Sequence, residues 1–180
     1  LYQPAATGAG PSARIMASGV AVPWALKAQQ ILENDYGVHA DVWSVTSWNE
    51  LARDAVEAEQ WNLNHPGQYS RMPYITQKLM ESESVTVAVS DFMRAVPDQI
   101  ARWVPGPWQS LGTDGFGFAD TRAAARRKFQ VDAESITVAV LQSLALRSEV
   151  NPEVVREAFH KFRIDDPTAV SGVPQVGGDA

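Results

Sequence analysis

The chain has 180 residues, of which 45% are hydrophobic and 20% are charged; it carries a net charge of −6 and contains no cysteine. This composition predicts a folded domain with one hydrophobic core, and it excludes a disulfide framework and thiolate chemistry. The acidic balance argues against nonspecific nucleic-acid binding, and no apolar run approaches the roughly 20 residues that a membrane span needs. We therefore expect neither a nucleic acid nor a membrane as a partner.

The opening of the chain predicts a linker followed by a strand and a helix. Residues 1–13 are rich in Ala, Gly and Pro, which is typical of a linker or entry segment, and a start without Met fits a piece of a longer protein. Arg14–Ala17 predicts a strand that ends in a turn at Ser18-Gly19. The next segment predicts a helix over Val22–Tyr36, which Gly37 ends.

A second strand–helix unit follows. Asp41–Val45 predicts a short buried strand, and a helix is predicted from Ser47 to about Leu63. Ser47 stands at the N-cap, and Glu50 lies three residues later in the position of a capping box. The inward face of this helix is formed by Trp48, Leu51, Ala52, Ala55 and Ala58. A strand that leads straight into a capped helix is typical of a parallel βαβ unit.

The middle of the chain predicts two more strands. A short helix over Pro73–Met80 precedes a β-branched strand over Val85–Val89. Asp91–Val104 predicts a helix with a restart or kink at Pro97. Trp108–Leu111 then predicts a short strand.

The last part of the chain predicts a loop and three helices. The loop Gly112–Gly117 contains three glycines and leads into a short basic helix over Thr121–Phe129. The helix predicted over Asp132–Arg147 is apolar nearly all round, so it must be buried on every side. Asn151-Pro152 starts the last helix, which runs to about Phe162. Strands that alternate with helices predict an α/β fold whose mostly parallel sheet is covered on both faces.

Few residues in the chain suggest chemistry. The histidines His39, His65 and His160 lack the spacing of a metal site. The turn at Ser18-Gly19 offers one glycine where a dinucleotide fingerprint needs three. In the glycine-rich loop, Asp114 is interpreted as a turn-forming residue, with a ligand or a general base as the alternatives.

Four basic residues and six tryptophans are candidates for contacts with other molecules. The basic group consists of Arg122, Arg126, Arg127 and Lys128. It is interpreted as a solvated or locally paired face, with an anion or an acidic partner domain as the alternative. The tryptophans are Trp24, Trp43, Trp48, Trp61, Trp103 and Trp108. Some of them must belong to the core, and others are expected at a surface that meets another domain or subunit.

Three segments carry a family resemblance. They are ADVWSVTSWNELARDAVEAE at residues 40–59, VSDFMRAVPDQI at residues 89–100 and LGTDGFGFAD at residues 111–120. Together they resemble the C-terminal domain of the homodimeric pyruvate dehydrogenases, a domain type shared with transketolases. The resemblance covers about Arg14–Ile164 and implies a three-layer α/β/α domain with a mixed, roughly five-stranded sheet. Residues 14–164 are then the domain, and residues 165–180 a C-terminal tail.

The resemblance also implies a function for the parent protein. The parent would oxidatively decarboxylate pyruvate with thiamine diphosphate and magnesium and transfer the acetyl group to a lipoyl group, in the cytoplasm. This chain would be its non-catalytic assembly and dimerisation domain, and it would bind neither cofactor. Its partners would be the remaining domains of the parent chain, the second subunit of a homodimer and the acetyltransferase component of the complex.

No catalytic, cofactor-binding or metal-binding residue of the family can be carried onto this sequence. Thr113-Asp114-Gly115 is not the Gly-Asp-Gly motif that the family uses for its cofactor, and no Asn pair follows it. Because the resemblance places this loop toward the body of the dimer, we predict an interface formed by Thr113, Asp114, Phe116 and Gly117.

Two other functions remain open from the sequence. The chain could be a freestanding α/β small-molecule or regulatory binding module that holds an anion at the helix N-terminus after Ser18 or after Thr46. It could also be a docking module for the acetyltransferase component or for a regulator.

Overall fold

A computed structural model describes residues 1–6, 8–117 and 119–166 of the chain. Within them, four parallel strands form one sheet in the order β2-β1-β3-β4. The strands are β1 (Ser12–Ala17), β2 (His39–Ser44), β3 (Val85–Val89) and β4 (Trp108–Leu111). In the register of the central strands, Ile15 lies beside Val42 on one side and Val87 on the other. The predicted α/β class with a mostly parallel sheet is confirmed.

Seven α-helices surround this sheet in the described residues. They are α1 (Val22–Tyr36), α2 (Trp48–Asn64), α3 (Tyr74–Leu79), α4 (Ala95–Asp98), α5 (Arg122–Lys128), α6 (Ala133–Leu146) and α7 (Pro152–Lys161). Two short 3-10 helices, Gly19–Ala21 and Ala101–Trp103, complete the set. The bounds of α1 and β3 agree with the sequence prediction, because local periodicity and end signals determine them.

Local side-chain chemistry sets several of these ends. Gly37 has a φ of 63°, a left-handed conformation that suits glycine and ends α1. The Ser47 hydroxyl accepts the Glu50 backbone N–H at 3.2 Å and caps α2 as predicted. The Glu50 carboxylate is bound by Arg53 instead, so the second half of the predicted capping box is replaced by a surface ion pair.

Helices cover both faces of the sheet, so the predicted three-layer arrangement is present. On one face, Ile15, Val42 and Val87 pack in a core with α1, α6 and α7. On the other face, Met16 and Ala88 pack in a second core, whose helical members are Trp48, Ile75, Leu79, Ile100 and Val104. Helix α6 has ten buried residues, six of which belong to the first core, and this confirms the buried helix that its apolar sequence predicts.

The strand count differs from the prediction. A mixed sheet of about five strands was expected, whereas the described residues form four strands that are all parallel. The antiparallel element is a single bridge between Gln3 and Val42, with backbone hydrogen bonds of 3.0 and 2.8 Å. The next N–H that could continue this ladder is that of Ala5, and it donates to Asp41 Oδ1 at 2.8 Å, while Ala40 O accepts from Gln29 Nε2 at 2.7 Å. The pairing therefore stays one residue long.

Two local predictions are also corrected. His39 is the first residue of β2 and not part of a turn before it. The helix predicted over Asp91–Val104 is reduced to α4 and a 3-10 turn. Its first residues bond to the loop after β4 instead: Thr113 N–H donates to Phe92 O at 2.9 Å. These tertiary hydrogen bonds take the place of a helical first turn.

The domain bounds 14–164 stay a prediction, and residues 167–180 of the predicted tail lie outside the described residues.

Candidate functional site

The loops that follow β1, β3 and β4 meet at the carboxyl edge of the sheet. The Thr113 hydroxyl donates to Asp91 O at 2.7 Å, which joins the loop after β4 to the loop after β3. Gly112 makes this approach possible, because a Cβ at that position would lie 2.4 Å from Phe92 O. The glycine-rich loop is therefore built for close backbone contact with its neighbour.

Asp114 joins the same two loops, because both of its carboxylate oxygens accept hydrogen bonds from Arg94. Its Oδ1 accepts the Arg94 backbone N–H at 2.9 Å, and its Oδ2 accepts from Arg94 Nε. The backbone hydrogen bond first, and the side-chain hydrogen bond second, hold the pKa of Asp114 below its ordinary value. Both carboxylate oxygens are thus used to shape the loop, as its interpretation as a turn-forming residue requires.

The donor set of this loop does not fit the magnesium of thiamine diphosphate. Asp114 is the carboxylate of the loop Gly112–Gly117, and both of its oxygens are bound by Arg94. Residues 1–6, 8–117 and 119–166 contain no group of three or more His, Asp or Glu side chains that could hold a metal ion. No chemical step is assigned to this loop.

Exposed apolar side chains stand on these three loops. Phe116 is 98% exposed, and Val20, Phe92 and Met93 are each more than half exposed. We call these four residues the apolar rim. Large exposed apolar groups that lie together at one edge are typical of a surface that contacts another molecule. Of the four predicted interface residues, Thr113 and Asp114 hydrogen-bond to the loop after β3. Phe116 is exposed, and Gly117 follows it.

The predicted basic group is divided between two environments. Arg127 is 3% exposed, and its Nη1 donates to Phe162 O at 2.6 Å. Of the interpretation as a solvated or locally paired face, the solvated part is wrong for Arg127, because its side chain points into the protein and pairs with Asp132, five residues later. Arg126, the next residue, lies over the ring of Trp24 at 4.7 Å. No local pattern predicts this pair, since 102 positions separate the two residues and only the fold brings them together.

A cavity of about 250 Å³ opens beside the apolar rim. Its walls come from the loops after β1, β3 and β4, from the first turn of α1, and from α5 with the residues that follow it. The side chains that matter for its chemistry are Trp24, Asp91, Arg122, Arg126 and Phe129. Arg122 and Arg126, for which an anion site was the alternative from the sequence, both line this cavity.

Other residues considered from the sequence have structural partners. The Ser18 hydroxyl accepts from Trp48 Nε1 at 3.0 Å in a buried contact, so it serves the core. The ring of His65 stacks on Trp61 with 4.3 Å between centroids, and its Nδ1 lies 2.8 Å from Trp61 O. His160 lies on α7, with its ring edge-on to Phe159.

A second set of exposed apolar residues lies along the end of α2, the loop that follows it and the two ends of α3. It consists of Leu63, Tyr69, Met72, Tyr74 and Met80. No sequence pattern predicts this group, because turn residues separate its members. The described part of the chain has no helix that is long and apolar enough to cross a bilayer.

Comparison with known proteins agrees with this architecture. Residues 1–132 match the family model of the transketolase-like TK C-terminal domain. A solved structure titled split gene transketolase, inactive beta4 tetramer, superposes with a TM-score of 0.50 at 22% identity and covers 76% of this chain and 40% of that chain. At this identity the superposition supports the fold alone.

Curated relatives are similar over most of the chain. A protein of Mycolicibacterium smegmatis named pyruvate dehydrogenase E1 component is 53% identical over 169 residues, or 94% of this chain. Proteins of the same name from Mycobacterium tuberculosis and Escherichia coli K12 are 55% and 42% identical over 87% and 88% of the chain. The chain spans only 17–18% of the length of these relatives. By its sequence match and its fold, the chain belongs to the transketolase-like C-terminal domain family, in the group whose curated relatives are pyruvate dehydrogenase E1 components.

Proposed function

We propose that this chain is the assembly domain of a pyruvate dehydrogenase E1 component and carries no catalytic residue of its own. The observation on which this rests is the apolar rim. Phe116 is 98% exposed on the glycine-rich loop. This loop is held against the loop after β3 by the close backbone approach at Gly112 and by the hydrogen bond from Arg94 N–H to Asp114. An exposed aromatic on a fastened loop is suited to a protein contact, because little conformational entropy is lost when it binds.

The proposed reaction belongs to the parent protein. The relatives are named pyruvate dehydrogenase E1 component, and this name supports a pyruvate dehydrogenase as the parent protein. We propose that the parent oxidatively decarboxylates pyruvate with thiamine diphosphate and magnesium and passes the acetyl group to a lipoyl group. The cofactor-binding residues would come from the parts of the parent that this chain does not span. The homodimer, the acetyltransferase component as a partner and the cytoplasmic location are further parts of this proposal.

Two surfaces are available for these partners. We assign the apolar rim to the remaining domains or the second subunit, because the glycine-rich loop carries the resemblance to the dimeric family. The second exposed group, around Tyr69, lies at the opposite edge of the sheet, since α2 runs back from the carboxyl end of β2 toward the amino ends of the strands.

A turnover assay tests the absence of catalysis. The purified chain is given pyruvate, thiamine diphosphate, magnesium and an artificial electron acceptor, and release of carbon dioxide is measured. The full-length parent protein is the positive control. We expect turnover by the parent and none by the chain. Turnover by the chain, in a preparation free of host enzyme, would contradict the proposal.

A further inference from the structure

The cavity beside the apolar rim is suited to an apolar group. The exposed surface of its wall is almost wholly apolar, and its lining includes Val20, Trp24, Phe129 and Val131. An engineered apolar cavity of about 150 Å³ binds benzene, so a volume of about 250 Å³ is enough for one aromatic ring. An apolar cavity that opens on a surface is suited to an anchoring side chain of a partner protein.

An exposed aromatic side chain stands on the same surface. The side chain of Phe116 is 98% exposed, although Thr113, three residues earlier on the same loop, lines the cavity. The Phe116 ring therefore lies outside the cavity of its own chain. The loop is held in this position by the close backbone approach at Gly112 and by the hydrogen bond from Arg94 N–H to Asp114. A projecting ring and an apolar cavity thus lie side by side.

A surface with a projecting group beside a matching cavity is complementary to a second copy of itself. When a two-fold axis passes between the two features, each copy places its Phe116 ring in the cavity of the other. A partner of different sequence needs one group for the cavity and another for the ring, whereas a second copy supplies both.

The charges around the two features are opposite in sign. The segment between β4 and α5, which carries the ring, contains Asp114 and Asp120 and no basic residue. Asp114 is paired within the chain, and Asp120 keeps the segment acidic. The charged residues that line the cavity are Arg122, Arg126 and Asp91, so the charge around it is positive on balance. A two-fold arrangement brings the acidic segment of one copy to the basic surroundings of the other cavity, which favours a second copy as the partner.

We infer that two of these domains contact each other across a two-fold axis in the parent protein, and that the Phe116 ring of each domain fills the cavity of the other, against Trp24 and Phe129. This exchange rests on the proposed assembly role. It goes further by identifying the second subunit as the partner and the cavity as the surface that receives Phe116.

Dissociation constants of the full-length parent dimer, measured by analytical ultracentrifugation, test the exchange. Phe116→Ala removes the ring, and Ala125→Phe fills the cavity from within its own chain, because Ala125 lines it. We expect each variant to raise the Kd at least about tenfold, and the double variant to raise it about as much as one of them, because both remove the same contact. Ala123→Phe, on the same helix but outside the cavity lining, is the matched control and should dimerise as the wild type does.

The two single variants separate this exchange from the assembly role. If Phe116→Ala weakens the dimer and a folded Ala125→Phe variant does not, the assembly role stands and the exchange is overturned. Effects that multiply in the double variant would also overturn the exchange, because the ring and the cavity would then act separately. Circular dichroism and thermal unfolding establish that each variant is folded.

Disulfide trapping in the 180-residue chain tests the same contact without filling the cavity. The chain has no cysteine, so Val20→Cys, beside the cavity, and Gly117→Cys, next to Phe116, give defined crosslinks when the two variants are mixed and oxidised. No described atom lies within 4 Å of a Cβ at Gly117, so this variant keeps Phe116 in place. We expect more mixed dimer from this pair than from Gly117→Cys with Leu63→Cys, an exposed position on the second apolar group. Equal amounts from the two mixtures would overturn the exchange.

Discussion

Arg127 and Asp132 form an ion pair inside the protein, with Nε 2.5 Å from Oδ2 and side chains that are 2% and 3% exposed. The other carboxylate oxygen of Asp132 accepts Ser135 N–H at 2.9 Å and caps α6. Arg127 Nη1 also donates to Phe162 O at the end of α7. One buried pair therefore fixes the end of α5, the start of α6 and the end of α7 together.

Arg127→Leu should lower the free energy of unfolding by about 3–5 kcal/mol, because it leaves the Asp132 carboxylate buried without its partner. Urea unfolding followed by circular dichroism measures the change. Arg156→Leu, which removes an exposed arginine paired with Glu153, is the control and should change stability by about 1 kcal/mol or less. A loss below about 1 kcal/mol for Arg127→Leu would mean that the pair does not join these helices.

Leu144→Asp tests the burial of α6. Leu144 is 0% exposed in the core between the sheet and the helices, so a carboxylate there should lower the free energy of unfolding by about 3–5 kcal/mol. Leu146→Asp is a matched control on the same helix, since Leu146 is 79% exposed. Thermal unfolding of both variants checks the difference. Similar midpoints for the two would show that α6 is not the buried helix described here.

Gly112→Ala tests the close contact between the loops at the carboxyl edge. Its Cβ would lie 2.4 Å from Phe92 O and 3.0 Å from Arg94 N, so the two backbones would have to separate. We expect a loss of about 1–3 kcal/mol in the free energy of unfolding. Gly117→Ala is the control, because nothing lies within 4 Å of a Cβ there. Equal stability of both variants would contradict the contact.

The Asp114–Arg94 contact predicts a pH dependence. The pKa of Asp114 is lower in the folded protein than its ordinary value of 3.8, so the unfolded chain binds the proton more readily in this range. The contribution of Asp114 is thus present above the unfolded pKa and is lost as the pH falls through the folded pKa. The stability difference between wild type and Asp114→Asn, from unfolding curves between about pH 2 and pH 6, should shrink as the pH falls. A difference that does not change with pH would contradict the prediction.

Local signals explain what the sequence could predict. The bounds of α1 follow from a proline in its first turn and Gly37 after its end, and β3 follows from its β-branched residues. The burial of α6 follows from its apolar surface all round. Each of these depends on residues that lie close together in the sequence.

The rest depends on contacts between distant parts of the chain. Arg126 and Arg127 are neighbours, yet one lies over Trp24 and the other pairs with Asp132 inside the protein. Residues 91–94 bond to the loop after β4, which no helical periodicity in that segment could reveal. The apolar rim exists because parallel strands bring three separate loops to one edge.

Phe116→Ala in the full-length parent protein tests the assembly role most directly. Sedimentation of the dimer by analytical ultracentrifugation gives its dissociation constant, and pyruvate turnover is measured over a range of protein concentrations. Tyr69→Ala is the matched control, because Tyr69 is equally exposed, at 98%, on the second apolar group. We predict that Phe116→Ala weakens the dimer by roughly 1–3 kcal/mol and that its lost activity returns as the concentration rises. An unchanged dissociation constant with an activity loss at every concentration would assign this loop to the chemistry and contradict the account.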